Sequence, residues 1–176
     1  MLQYDEISDK RKIMGDFERK VRVKIHSERY DNTEVLLGNF SDSRDESANQ
    51  PKHEKTEFVT EGVFKSENGE VRLLYDDSEL FDGSKSVASL IYRKETPNLV
   101  TLCREGDVST AMVFEPGRRH ISVYRTPFAP LELCTRTYSV QNRLETSGIL
   151  KLDYVVEVHG VHTERTKMKI TILPKD

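Results

Sequence analysis

The densest group of side chains able to hold an anion is Arg118-Arg119-His120, with Arg125 close behind. Planar guanidinium forks match carboxylate and phosphate oxygens, so this stretch is the first candidate for recognising an acidic ligand or a polyanion. His120, Ser122 and Tyr124 occupy alternate positions and would share one face of a strand. They contain no nucleophile held by an oriented base, so the pattern reads as a solvated or interface face. His159 and His162 bracket Gly160-Val161, with Asp153 and Glu157 upstream. A turn without a second anchor is a poor zinc frame, and no metal is expected there. Asp76-Asp77-Ser78-Glu79 lacks the periodicity and glycine of a calcium loop and reads as a solvated turn. The sequence has no phosphate-cradling glycine loop, no Gly-x-Ser-x-Gly elbow and no His-Glu-x-x-His pair. Neither an enzymatic activity nor a cofactor is expected.

The elements that must position these groups are strands. Residues 112–124 form two apolar-alternating runs joined by Glu115-Pro116-Gly117-Arg118. Proline fixes φ at one turn position and glycine supplies positive φ at the next, so a tight hairpin is predicted. Glu115 opposite Arg118 sets the register: Phe114 faces Arg119, Met112 faces Ile121 and Thr110 faces Val123. The apolar residues then share an inward face with Arg119 at its end, and Ala111, Val113, His120, Ser122 and Tyr124 point outward. Similar runs occur at 20–29, 56–65, 71–75, 85–93, 99–104, 109–115, 118–125, 131–138, 149–158 and 166–173, giving ten candidate strands. Turn residues separate them at Asn68-Gly69, Thr96-Pro97-Asn98, Glu105-Gly106-Asp107, Ser147-Gly148 and His159-Gly160. From residue 56 onward the links are too short for Greek-key crossovers, so sequential strands pair as a meander. A twisted meander of about eight to ten strands loses its exposed edges by closing. The predicted fold is all-β, an up-and-down antiparallel β-barrel.

The expected inward set is Val21, Val23 and Ile25; Phe58 and Phe64; Val71, Leu73 and Tyr75; Met112 and Phe114; Ile121 and Val123; Leu131 and Leu133; Leu150, Leu152, Tyr154 and Val156; and Met168, Ile170 and Ile172. The interior is expected to be apolar. The chain of 176 residues is long enough for one domain with a core that needs no disulfides. Residues 1–19 read as a loose segment, with Ile13 and Phe17 at helical spacing and Met14 as an alternative translation start. Residues 20–174 form the barrel domain, and 38–55, rich in Ser, Asp, Asn and Glu, reads as a mobile loop. The net charge of -3 provides no global field for nucleic acid. Cys103 and Cys134 are the two cysteines, both in strand-like runs, a usage that fits a reducing compartment. No apolar run reaches membrane-span length. A cytoplasmic protein is expected.

Within residues 112–160, Met112, Phe114, Tyr124, Thr126-Pro127-Phe128, Leu131-Glu132-Leu133, Tyr154 and the His159-Gly160 turn carry a family resemblance. The chain resembles the calycin-like β-barrel family of unknown function from low-GC Gram-positive bacteria, the YwiB-like proteins. The likeness extends over 21–173, including Thr60-Glu61-Gly62 and Tyr75 ahead of the acidic cluster. It implies a barrel akin to lipocalins and fatty-acid-binding proteins, with no established activity. The family usually has glycine where this chain has Ala129, so that turn is expected to be strained or reshaped.

Three functional classes follow. A non-enzymatic barrel would bind a small apolar or amphipathic ligand with Met112, Phe114, Ile121 and Tyr154 lining the lumen and Arg119 orienting an acidic head. An interaction module with a packed interior would meet a protein partner or a second copy through Val113, His120 and Tyr124. A weaker reading is an RNA or polyanion surface at Arg118, His120 and Arg136.

Overall fold

The computed structural model describes residues 15–31, 53–81, 84–160 and 162–174. Ten strands run in chain order: β1 (Phe17–Asp31), β2 (His53–Glu67), β3 (Glu70–Asp76), β4 (Ser86–Arg93), β5 (Thr96–Gly106), β6 (Thr110–Phe114), β7 (Arg119–Arg125), β8 (Pro130–Arg143), β9 (Ile149–Val158) and β10 (His162–Leu173). A 3-10 turn, Ser78–Phe81, follows β3, and one short helix, α1 (Leu144–Ser147), joins β8 to β9. Every candidate strand is present. All pairings are antiparallel, in the order β6-β5-β4-β3-β2-β1-β10-β9-β8-β7. The result is a nearly closed ten-stranded barrel.

Alternation builds the core, because side chains two apart on a strand share a face. Val21, Val23 and Ile25 of β1 are buried with Phe64 of β2, Val71 and Leu73 of β3, Leu90 of β4, Leu102 of β5, Phe114 of β6, Leu150 of β9 and Ile170 of β10. Burial of each such side chain stabilises the fold by roughly 1.5–3 kcal/mol. Two glycine-bearing turns tighten the meander. Asn68 and Gly69 take φ of 51° and 78°, as do His159 and Gly160 at 50° and 67°, the left-handed pair that matches hairpin twist.

Several expectations need correction. Phe17 to Arg19 belong to β1 rather than to a loose segment, and the Phe17 ring packs on Phe64 with centroids 5.0 Å apart. His53 to Lys55 begin β2 rather than ending a loop. Met14 and the rest of 38–52 lie outside the described residues. The turn expected at 96–98 falls at Lys94 and Glu95, with Thr96 already in β5. Ala129 does not adopt positive φ. Instead the Thr126 hydroxyl accepts the amides of Phe128 and Ala129, both at 3.2 Å, and donates to the Ala129 carbonyl at 2.8 Å, so a side chain closes the turn.

The largest correction concerns the predicted hairpin. The turn forms, with the Arg118 amide donating to the Glu115 carbonyl at 3.0 Å and Gly117 at φ 76°. Yet β6 and β7 form no ladder: β6 pairs with β5, and β7 pairs with β8. Beyond the turn the two strands lie side by side, and the backbone hydrogen bonds between their segments among the described residues are those of the Ser109–Arg125 bridge, at 3.0 and 2.8 Å. The chain takes six steps from Ser109 to Glu115 and seven from Arg118 to Arg125. An antiparallel ladder needs equal steps, so one residue has no opposite number. The turn also bonds elsewhere, through Gly117 N–H to Thr137 O at 3.0 Å and Thr137 N–H to Arg118 O at 3.3 Å.

Candidate functional site

The odd step inverts the face of β7. His120, Ser122 and Tyr124 turn toward the interior, half-buried, and Arg119, Ile121 and Val123 turn out. Ile121 is 70% exposed and Val123 43%, so neither belongs to the core. The Arg119 side chain is 59% exposed, pairs with Glu157 and donates Nε–H to Cys134 Sγ at 3.4 Å on the outer wall. It does not look into a lumen. Of the proposed ligand residues, Met112, Phe114 and Tyr154 are inside, with the Phe114 and Tyr154 rings 4.7 Å apart. Arg118 is an exposed turn residue 3.8 Å from Glu115, and His120 Nε2 lies 2.9 Å from Glu115 Oε2.

The interior is polar at one end, contrary to expectation. Asp77 is the centre of this layer. Asp76 ends β3 facing out, where its carboxylate accepts the Ser78 amide at 2.9 Å. The next residue therefore faces in, and Asp77 is fully buried. Its backbone is tied by its amide to Ser86 O at 3.1 Å and by its carbonyl to the Leu80 amide at 2.9 Å. Arg104, opposite Ala88 of β4 and Thr110 of β6, donates Nε–H to Asp77 Oδ2 at 2.6 Å. The acidic run is thus a solvated residue followed by a buried ion-pair partner.

Two buried charges survive only when paired and hydrogen-bonded. Burial disfavours the Arg104 cation, but Asp77 and the neighbouring Tyr75 and Tyr154 outweigh it and raise its pKa. Burial in turn pushes the phenols of Tyr75, Tyr124 and Tyr154 upward, each opposed by the Arg104 charge. All three stay neutral donors at physiological pH. Ser86, whose carbonyl accepts the Asp77 amide, and Thr110, opposite Arg104, have buried hydroxyls with no hydrogen-bond partner among the described residues, as do Asp77 Oδ1 and, on β7 and β8, the hydroxyls of Ser122, Thr135 and Thr137. Buried polar atoms are ordinarily satisfied by protein groups or by ordered water.

At the turns that follow β5 and β7 there is an open cleft of about 520 Å³. Ser84, Asp107, Val108, Pro127, Phe128 and Leu131 are among its walls, and Phe128 is 97% exposed. Tyr124 links cleft and layer: it pairs with Leu131 in the β7–β8 ladder and feels both Arg104 and Asp77. Sequence reasoning missed Arg104 and Asp77. The available signal was parity, since Arg104 ends the buried Val100, Leu102 series of β5.

Among the described residues no group of three or more His, Cys, Asp or Glu is placed to hold a metal ion. Asp153 is engaged by Arg165 at 2.9 and 3.0 Å and Glu157 by Arg119, and the side chain of His162 lies outside the described residues. No helix among the described residues is long and apolar enough to cross a membrane.

Residues 42–170 match the family model described as "Domain of unknown function (DUF1934)". The chain belongs to this family. Its barrel is similar to the crystal structure of the ywiB protein from Bacillus subtilis, with a TM-score of 0.59 and 19% identity over 88% of this chain and 94% of that one. At that identity the likeness shows the fold alone. No curated protein matches the sequence.

Proposed function

We propose that this barrel is a non-enzymatic binder of a small amphipathic ligand, taken up at the polar mouth. The supporting observation is the adjacency of an apolar cleft to a buried layer of unsatisfied hydroxyls around an ion pair. A few converging polar groups beside apolar walls are the usual composition of a ligand site. The apolar body of the ligand lies against Val108, Phe128 and Leu131, and its polar head reaches the Tyr124 phenol and the Thr110 hydroxyl above Arg104. Met112, Phe114 and Tyr154 form the floor. Arg104 takes the orienting role that sequence reading assigned to Arg119.

Native mass spectrometry of protein purified from its own host, before and after gentle denaturation, tests this reading together with calorimetric titration of short- and long-chain carboxylates. Thr110→Val and Tyr124→Phe each remove one hydroxyl at nearly constant volume. Each is expected to weaken binding about 2- to 10-fold, the worth of one neutral hydrogen bond, with the thermal midpoint nearly unchanged. Absence of both bound mass and binding heat rejects the ligand reading. A second reading has its own observation: Ile121, Val123 and Phe128 form an exposed apolar row along β7 and its following turn. Such a row favours a protein contact at this edge, and sedimentation of a Phe128→Ser variant against wild type tests it.

A further inference from the structure

The outer wall formed by β8, β9, β10 and β1 carries a row of cationic side chains remote from the interior polar layer. Across β8, β9, β10 and β1, the ladder places Gln141, Lys151, Lys169 and His26 side by side. Lys151 and Lys169 are direct cross-strand partners, with Cβ atoms about 4.5–5.5 Å apart, an arrangement in which like charges destabilise the sheet. The neighbouring row is Ser139, Asp153, Lys167 and Glu28. Together these rows form a groove of 330 Å³.

The acids nearby do not neutralise the lysine pair. Asp153 is held by both nitrogens of the Arg165 fork at 3.0 and 2.9 Å. Glu28 accepts from Tyr30 at 2.6 Å and lies 3.1 Å from His26 and 3.4 Å from Lys55. Glu57 takes Lys24 at 2.8 Å. Lys151 and Lys169 have no ion-pair partner among the described residues. Lys167 adds a third ammonium, 6.0 Å from the Tyr30 ring. Flat aromatic and guanidinium surfaces border the groove: the Arg165 and Arg136 guanidiniums lie 5.2 and 5.5 Å from the Tyr138 ring, and the Tyr30 ring stacks on His53 at 4.4 Å.

We propose that this groove binds a nucleotide phosphate, with Lys151, Lys167 and Lys169 as its cations, Ser139 and Gln141 as neutral donors, and the Tyr138–Arg165 surface receiving the base. An anion removes the repulsion that the sheet imposes on the lysine pair, and stacking on π faces serves any base. The shared chemistry is a phosphate joined to a planar ring, supplied by a free nucleotide or by single-stranded RNA. This surface differs from the Arg118, His120 and Arg136 patch, where His120 faces inward.

The test is fluorescence anisotropy with a labelled single-stranded uridine oligonucleotide, with adenosine diphosphate and inorganic phosphate as competitors, repeated over a series of salt concentrations. The expected result is saturable oligonucleotide binding, with a slope of log affinity against log salt of about -2 for three neutralised phosphates. Lys151→Gln with Lys169→Gln should weaken it at least about tenfold and flatten the slope, at an unchanged or raised thermal midpoint because a like-charge pair has gone. Competition by adenosine diphosphate identifies a free-nucleotide site; its failure identifies a polymer site. No binding, an unchanged affinity in the double variant, or competition by inorganic phosphate as strong as by the nucleotide overturns the proposal. Tyr138→Ala gives an independent reading, since a base platform predicts loss of oligonucleotide affinity without loss of salt slope.

Discussion

The barrel has two seams, one zipped and one left nearly open. Between β1 and β10, ten consecutive residue pairs from Arg22–Leu173 to Asp31–Glu164 complete the ladder, although these strands lie far apart in the chain. Between β6 and β7, strands joined by a four-residue turn fail to pair except at one bridge. Proximity in sequence therefore did not decide which edges zip. Step count and parity did: β1 and β10 keep matched alternation through all ten of their pairs, whereas β7 is one residue out of step with β6 and is held by β8 at its other edge. The unzipped seam is also where the interior becomes polar, because the inverted face brings His120, Ser122 and Tyr124 inward.

The comparison can be broken most severely at the ion pair beside the open seam. Arg104→Met strands a buried Asp77 carboxylate and should cost about 3–5 kcal/mol, measured by urea denaturation. Adding Asp77→Leu should recover much of that loss, because an apolar pair needs no compensating charge. A single variant of wild-type stability would mean that Asp77 reaches water and that the layer is not closed.

At the zipped seam, Ile170→Ala, opposite Ile25, should lose about 2–5 kcal/mol through transfer and cavity terms. Ile121→Ala on the outer face of β7 should change stability by no more than about 0.5 kcal/mol. Equal losses would mean that Ile121 is covered in solution. Gly117→Ala tests the turn that spans the seam. Its φ of 76° is left-handed and no atom crowds the site, so the cost is conformational alone, about 1 kcal/mol. Amide exchange compares the two edges without a substitution: amides bonded across β1 and β10 should open only near the global free energy, and those of 111–113 and 120–124 facing the seam far more readily.

The smallest effect lies on the outer wall at Glu28. The Tyr30 hydroxyl, and next His26, hold its carboxyl at about 2. A depressed folded-state pKa stabilises above the unfolded value of about 4.3 and loses that contribution as pH falls toward about 2. Tyr30→Phe should raise the Glu28 pKa, followed by carboxyl NMR titration, and shrink the stability change across that acid window. An unmoved titration would show that Tyr30 is not its main partner.

The sequence by itself determined the class and strand content of this protein. Period-two alternation and glycine turns located all ten strands, and most of the inward residues on β1, β3, β9 and β10, because each signal is local and strands report burial through parity. Where alternation is broken by one residue, parity cannot be carried across, and the inward face of β7 was misread together with Arg119, Ile121 and Val123. Nor can local pattern report a charge that burial makes tolerable. Asp77 reads as a solvated acid until β5 places Arg104 2.6 Å from it, and Lys151 and Lys169 read as ordinary surface lysines until β9 and β10 pair them. The partner that compensates or opposes a charge is set by register between strands distant in sequence, and only the tertiary structure decided that.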